Sequence, residues 1–166
     1  MSYLVEKDWT TAAGLRAVII ICKSAERMTH RCGYVGVPSE HKFYGKDYGE
    51  PLDCITQFKA DHATLGNKSP ILMLTATVGG ETENSIRRAL DIVVEVHGGL
   101  TYSGGNNTYP VQANLWWFGF DCHHYGDADI EPDPRWSAFR NGEVRSLEYT
   151  AAECERLAEQ LEALAA

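Results

Sequence analysis

Apolar residues fall in short runs along the chain, separated by polar stretches punctuated with glycine and proline. The run "LRAVIIICK" follows Gly14 and is dense in β-branched residues, so it predicts a strand. "RCGYVGVP" predicts a second strand that ends at Pro38, and "PILMLTATV" (70–78) a third, bounded by "GNKS" and "GG". "DIVVEVH" (91–97) and the aromatic "ANLWWFGFD" complete the set of strands. A weak amphipathic piece is expected over 52–58, and a short helix or turn with Thr82 as its N-cap before Asp91. Near the C-terminus, Cys154, Leu157, Ala158, Leu161 and Leu164 make one apolar helical stripe, with Thr150 and Glu153 as its capping box. The expected architecture is a single α+β domain over 1–166: a mixed or antiparallel sheet of about five strands plus a C-terminal helix.

The pattern breaks informatively at "DIVVEVHGGLTYSGG". Alternate side chains of a strand share a face, so Ile92, Val94 and Val96 should point one way and Val93, Glu95 and His97 the other. That makes Glu95 and His97 neighbours at a strand end, followed by a glycine turn. Glycines at Gly98 and Gly99 let a ligand approach the backbone, as an anion-binding nest requires. The plainer reading is a Glu–His hydrogen bond that ties down an edge strand.

A second polar cluster follows the aromatic strand in "WWFGFDCHHYGDADIEPD". Alternation puts Trp117, Gly119 and Asp121 on one face, and Phe118, Phe120 and Cys122 on the other. Asp121 therefore ends a strand as His97 does, with His123, His124 and Asp127 just beyond it. Functional groups gain fixed positions where loops leave rigid strands.

Three chemistries suit these residues. His97, Asp121, His124 and Asp127 could ligate a divalent metal that polarises a phosphoryl oxygen or activates water. No HExxH or comparable spacing supports that assignment, so the cofactor is left open. Alternatively, Cys122 with His97 or His124 could form a nucleophile–base pair, with the glycine turn as oxyanion hole. The third option is a metal-free acid–base site in which His97 works with Asp121 or Glu95. "DADIEPD" lacks the glycine and closing glutamate of an EF-hand, and no G-x-S-x-G is present.

The segment "THRCGYVGVPSEHKFYGKDY" supplies Arg31, His41, Tyr44 and Lys46, a mix of flat rings and positive charge that suits a base and a phosphate. Its long loop over 39–49 reads as a lid or as a surface loop anchored by its aromatics. Overall charge narrows the partner. A net charge of −8 and a pI near 5.2 disfavour extended contact with nucleic acid, while leaving room for a small anionic ligand. No apolar run is long enough to span a bilayer, and the first residues lack the pattern of a secretory leader. The five cysteines include no CxxC pair, which argues for reduced, buried thiols rather than a zinc ribbon or disulfide framework.

Together, "HRCGYVGVPSEHKFYGKDY", "VEVHGGLTYSGG" and "WWFGFDCHHYGD" resemble a family of small uncharacterised bacteriophage and prophage proteins, over roughly residues 15–130. The resemblance implies the cytoplasm of a phage host. By analogy it suggests a role against host defence, through destroying or sequestering a nucleotide-derived signal.

These readings converge on one expectation. His97, Glu95, Asp121 and His124 are the candidate catalytic residues, with Asp127 joining them in a metal site. Gly98, Gly99, Tyr102, Ser103, His41, Tyr44, Arg31 and Trp117 are the candidate ligand-binding residues. The expected activity is hydrolysis of a small nucleotide-like or phosphorylated substrate. The alternative is a non-catalytic protein that sequesters such a ligand, most naturally as a homo-oligomer with binding sites at its interfaces.

Overall fold

The computed structural model describes residues 2–25, 27–52, 89–105, 108–135 and 142–166. Apart from the buried Leu52, the amphipathic piece expected over 52–58 lies outside the described residues, as do the strand over 70–78 and the turn capped by Thr82. Strands β1 (Ser2–Thr10), β2 (Arg16–Ser24), β3 (Arg27–Val37), β4 (Tyr102–Gly104) and β5 (Trp116–Asp121) form a sheet of order β1-β2-β3-β5-β4. Every pairing is antiparallel. A helical turn, α1 (Leu90–Val93), precedes β4, and a long helix, α2 (Leu147–Ala165), closes the chain.

Both sheet faces are covered, which explains the unbroken apolar run of β2. On one face, Ala17, Ile19, Val35, Phe118, Phe120 and Cys122 pack against Cys154, Leu157, Ala158 and Leu161 of α2. On the other, Val18, Ile20, Cys22, Cys32, Tyr34 and Trp117 lie beneath Tyr102, Tyr109, Val111, Ala113 and Leu115. A central strand buried on both sides has no polar face to alternate with. The division of β5 into a Trp117–Gly119–Asp121 face and a Phe118–Phe120–Cys122 face agrees with strand alternation.

Two local expectations are corrected. The capping box is not at Thr150 and Glu153: Ser146 is the N-cap of α2, its side chain accepting from the Tyr149 N–H. Thr150 lies inside the first turns and donates its hydroxyl back to the Ser146 carbonyl at 2.9 Å. Nor is 91–97 a strand. Its first residues form α1, with Ile92 exposed and Val93 buried, the reverse of the expected order.

Residues 94–97 then run alongside α2 without a ladder, because helix side chains satisfy their backbone. Gln160 bridges both polar groups of Glu95, its Oε1 accepting from the N–H at 2.7 Å and its Nε2 donating to the carbonyl at 2.8 Å. Glu153 Oε2 accepts from the His97 N–H at 2.7 Å. Within this clasp the period of two survives: Val94 and Val96 are buried, while Glu95 is exposed and His97 half-buried. Among the described residues, no helix is long and apolar enough to cross a membrane.

Candidate functional site

His97 leaves the clasped segment just before the glycine turn, and its ring is held from both sides. Nε2 lies 2.8 Å from Asp127 Oδ2, and Nδ1 lies 3.0 Å from the Tyr149 hydroxyl. Asp127 is the fixed end of this chain, its side chain only 1% exposed. Oδ2 also accepts from the His124 N–H at 2.8 Å, and Oδ1 accepts from Arg145 Nε at 2.7 Å. Backbone bonds from Ala128 to the Glu143 carbonyl and from Glu143 to the Gly126 carbonyl bring Arg145 alongside.

Burial pushes the Asp127 carboxyl up, but hydrogen bonds from Arg145, His97 and the His124 N–H outweigh it and bring it down to about 2. Asp127 is thus an anion at any physiological pH. Tyr149 behaves oppositely. Burial and the nearby Glu153 carboxylate raise its phenol, against the pull of Arg145, whose guanidinium lies 5.2 Å above the ring. The outer end of the chain is therefore a protonated hydroxyl, and Tyr149 is 36% exposed.

Asp121 is not the partner of His97. One of its oxygens accepts from Thr101 Oγ1 at 3.0 Å and the other from the His123 N–H at 3.1 Å. His124 stands between the two, its Nε2 3.7 Å from Asp121 Oδ1 and its ring centroid 5.6 Å from that of His97. That Nε2 is buried without a hydrogen-bond partner and sits directly over Gly98. A Cβ at Gly98 would lie 1.9 Å from it, and Gly98 has a φ of +68°. Gly98 therefore serves a close approach of His124. The Gly99 N–H is committed to the Val96 carbonyl at 3.0 Å, which closes the turn and removes that donor from the expected anion nest.

Other expected ligand contacts are redistributed. Arg31 is engaged at all three nitrogens: Nε and Nη2 bind Glu6 at 2.6 and 2.7 Å, and Nη1 donates to the Arg145 carbonyl at 2.7 Å. It buttresses the backbone of Arg145 instead of meeting a phosphate. Trp117 is fully buried in the sheet and unavailable for stacking on a ligand. Tyr102 packs edge-on against Tyr34. Ser103 donates to Asp47 at 3.2 Å and accepts from the Tyr48 N–H at 3.2 Å, pinning the loop over 39–49 to β4.

The same loop is fixed by Trp116 Nε1 donating to the Lys46 carbonyl at 2.8 Å, with Tyr44 packed on the Trp116 ring. His41 lies 3.8 Å from Glu162 near the C-terminal end of α2. His97 meets that helix at Tyr149, about 20 Å away along its axis. His41 therefore forms no lid over His97, and Tyr44 packs on Trp116 instead.

The Cys122 alternative also fails on geometry. The thiol is buried beside Thr150 Oγ1 at 3.8 Å, and burial pushes it up to about 11. Such a thiol is neither accessible nor ionised at neutral pH. Among the described residues, His97, Asp121, His124 and Asp127 do not supply three metal-ligand atoms within 4.8 Å of one another. Asp127 moreover spends its oxygens on Arg145, His97 and a backbone N–H. The arrangement suits proton transfer better than metal ligation.

Tyr149 and Arg145 are absent from the sequence-derived site. Tyr149 lies in the first turn of α2 and Arg145 just before its N-cap, more than 20 residues past His124, and no local spacing links them to it. No family model, curated protein or solved structure matches the chain.

Proposed function

We propose that the protein is a phage- or prophage-encoded hydrolase of a small nucleotide-like or phosphorylated substrate, working through the proton relay Asp127–His97–Tyr149. The observation that carries this reading is the relay itself: a buried carboxylate, an imidazole bonded at both nitrogens, and a hydroxyl at the accessible end. A buried aspartate fixes the orientation of an imidazole and stabilises its charged form. Charged His97 donates to Asp127 from Nε2 and to the Tyr149 oxygen from Nδ1, which frees the Tyr149 proton for the substrate.

Hydrolysis then proceeds with water as nucleophile. Water adds at the electrophilic centre, the bond to the leaving group breaks, and the leaving oxygen takes the Tyr149 proton. Tyr149 is reprotonated from His97 Nδ1, and the proton released by the attacking water returns to His97 through the Tyr149 hydroxyl, the accessible end of the relay. General acid–base assistance of this kind accelerates a reaction by about 10²–10⁴-fold. The phage setting rests on the sequence resemblance.

A panel of nucleotides and phosphorylated metabolites tests the reading. Wild-type protein is expected to consume at least one compound, and His97→Gln and Tyr149→Phe to lose about 100-fold or more of that rate while staying folded. Unchanged rates in both variants would place the chemistry elsewhere. Tight binding with no consumption would instead favour sequestration.

A further inference from the structure

On the opposite sheet face from His97, neighbouring strands assemble a second set of ligand-type side chains. Cys22 lies near the end of β2 and packs in the same buried cluster as Cys32, while His30 and Cys32 alternate on β3, so all three project from the same face. One ligand atom from each lies within 4.8 Å of the other two. The Cys22 and Cys32 sulfurs are 3.6 Å apart. Two thiolates on a tetrahedral zinc ion, at about 2.3 Å each, are separated by about 3.8 Å. The sulfurs are free thiols that are therefore already spaced for a shared metal.

The surroundings hold the imidazole in place. Thr29 Oγ1 donates to the Cys22 carbonyl at 3.0 Å and lies 3.1 Å from His30 Nδ1, tying the ring to β2. His123 stacks on His30 with centroids 4.5 Å apart and planes 15° from parallel. His123 in turn lies 3.2 Å from Asp129 Oδ1. Asp121 is opposite Cys32 in the β3–β5 register and adds negative charge on that side. Such outer partners orient ligands in metal sites.

We propose that Cys22, His30 and Cys32 form a binding site for one thiophilic divalent ion of the zinc class, clipping β2 to β3 and leaving a fourth position open to solvent or an exogenous anion. The site does not depend on the hydrolase reading, because it shares no residue with the Asp127–His97–Tyr149 relay. Its sequence form, C-x7-H-x-C, spans a hairpin and escapes any search for CxxC.

Titration of the reduced, metal-free full-length protein with cobalt(II) tests the proposal under anaerobic reductant, which prevents disulfide formation. One equivalent should produce a thiolate-to-cobalt charge-transfer band and tetrahedral d–d bands, and both should vanish on adding zinc(II). Cys22→Ser and Cys32→Ser should lose the charge-transfer intensity, and His30→Ala should weaken cobalt affinity at least 10-fold. His97→Gln should leave the spectrum unchanged. Near-ultraviolet circular dichroism checks that each variant is folded, and the half-buried His30 provides a decisive variant if a cysteine substitution unfolds the hairpin. Absence of a thiolate band in the wild-type protein overturns the proposal, as does a band that persists unchanged in His30→Ala or in a folded cysteine variant.

Discussion

Replacing Asp127 with asparagine is expected to lower activity by about 100-fold or more and to destabilise the fold by about 2 kcal/mol or more at neutral pH. Both losses have one cause. Asp127 accepts from Arg145, His97 and the His124 N–H, so it holds together three separate segments of chain. An asparagine keeps the shape but removes the charge, leaving the Arg145 guanidinium without its buried counter-ion and turning one acceptor into a donor. The histidine then loses the partner that fixes its tautomer.

Acid exposes the same interaction in the wild-type protein. The folded carboxyl titrates at about 2, below its ordinary value of 3.8. A depressed carboxylate contributes stability that is fully present above the unfolded value and lost as pH falls through the folded one. Asp127 should therefore contribute roughly 2 kcal/mol above about pH 4 and lose it towards pH 2. Urea melts across this range measure the slope. Asp127→Asn should flatten it, and an unchanged slope in the variant would show that the anion is not what the site depends on.

The second large effect is expected in the core beneath α2. Phe120 is almost wholly buried, and its ring lies over Gly33, where an added Cβ would come within 2.5 Å of Cζ and 2.7 Å of Cys154 Sγ. Phe120→Ala should cost about 3–5 kcal/mol, a large share of the 5–15 kcal/mol that holds a typical domain together. Gly33→Ala should cost about 1–3 kcal/mol by overpacking. In the double variant the new methyl enters the space vacated by the ring, so the combined loss should fall short of the sum by about 1 kcal/mol. Chemical denaturation of the four proteins measures this cycle. Strict additivity would mean that Gly33 and Phe120 do not share that space.

These core contacts lie where the sequence was most legible. β2, β3, β5 and α2 announce themselves because burial imposes a period, or an unbroken apolar run, on their residues. β1 carries no such mark: Tyr3, Leu4 and Val5 are exposed, and the strand is held at the sheet edge largely by backbone pairing to β2. The segment over 94–97 misleads for a different reason. Its alternation is that of a strand, yet its backbone partners are Gln160 and Glu153 on a helix more than 50 residues away.

The site divides in the same way. His97, His124 and Asp127 are visible as polar residues at the ends of apolar runs. Their arrangement is not, because strand alternation can put Asp121 and His97 at strand ends but cannot set the path of the loop that carries Asp127 inward. Tyr149 belongs to the first turn of α2, where the helical pattern reports only the buried stripe, and Arg145 precedes the N-cap and lies outside that pattern. Cys22, His30 and Cys32 meet across a bulged hairpin, whose register no linear spacing encodes.

The proposed hydrolase reaction is tested most directly by mass spectrometry of a phosphorylated nucleotide panel incubated with wild-type protein and with His97→Gln in parallel. The relay predicts hydrolysis products from the wild-type protein and intact compounds from the variant. Intact ligand recovered from both after denaturation would contradict it and identify a protein that binds without turning over.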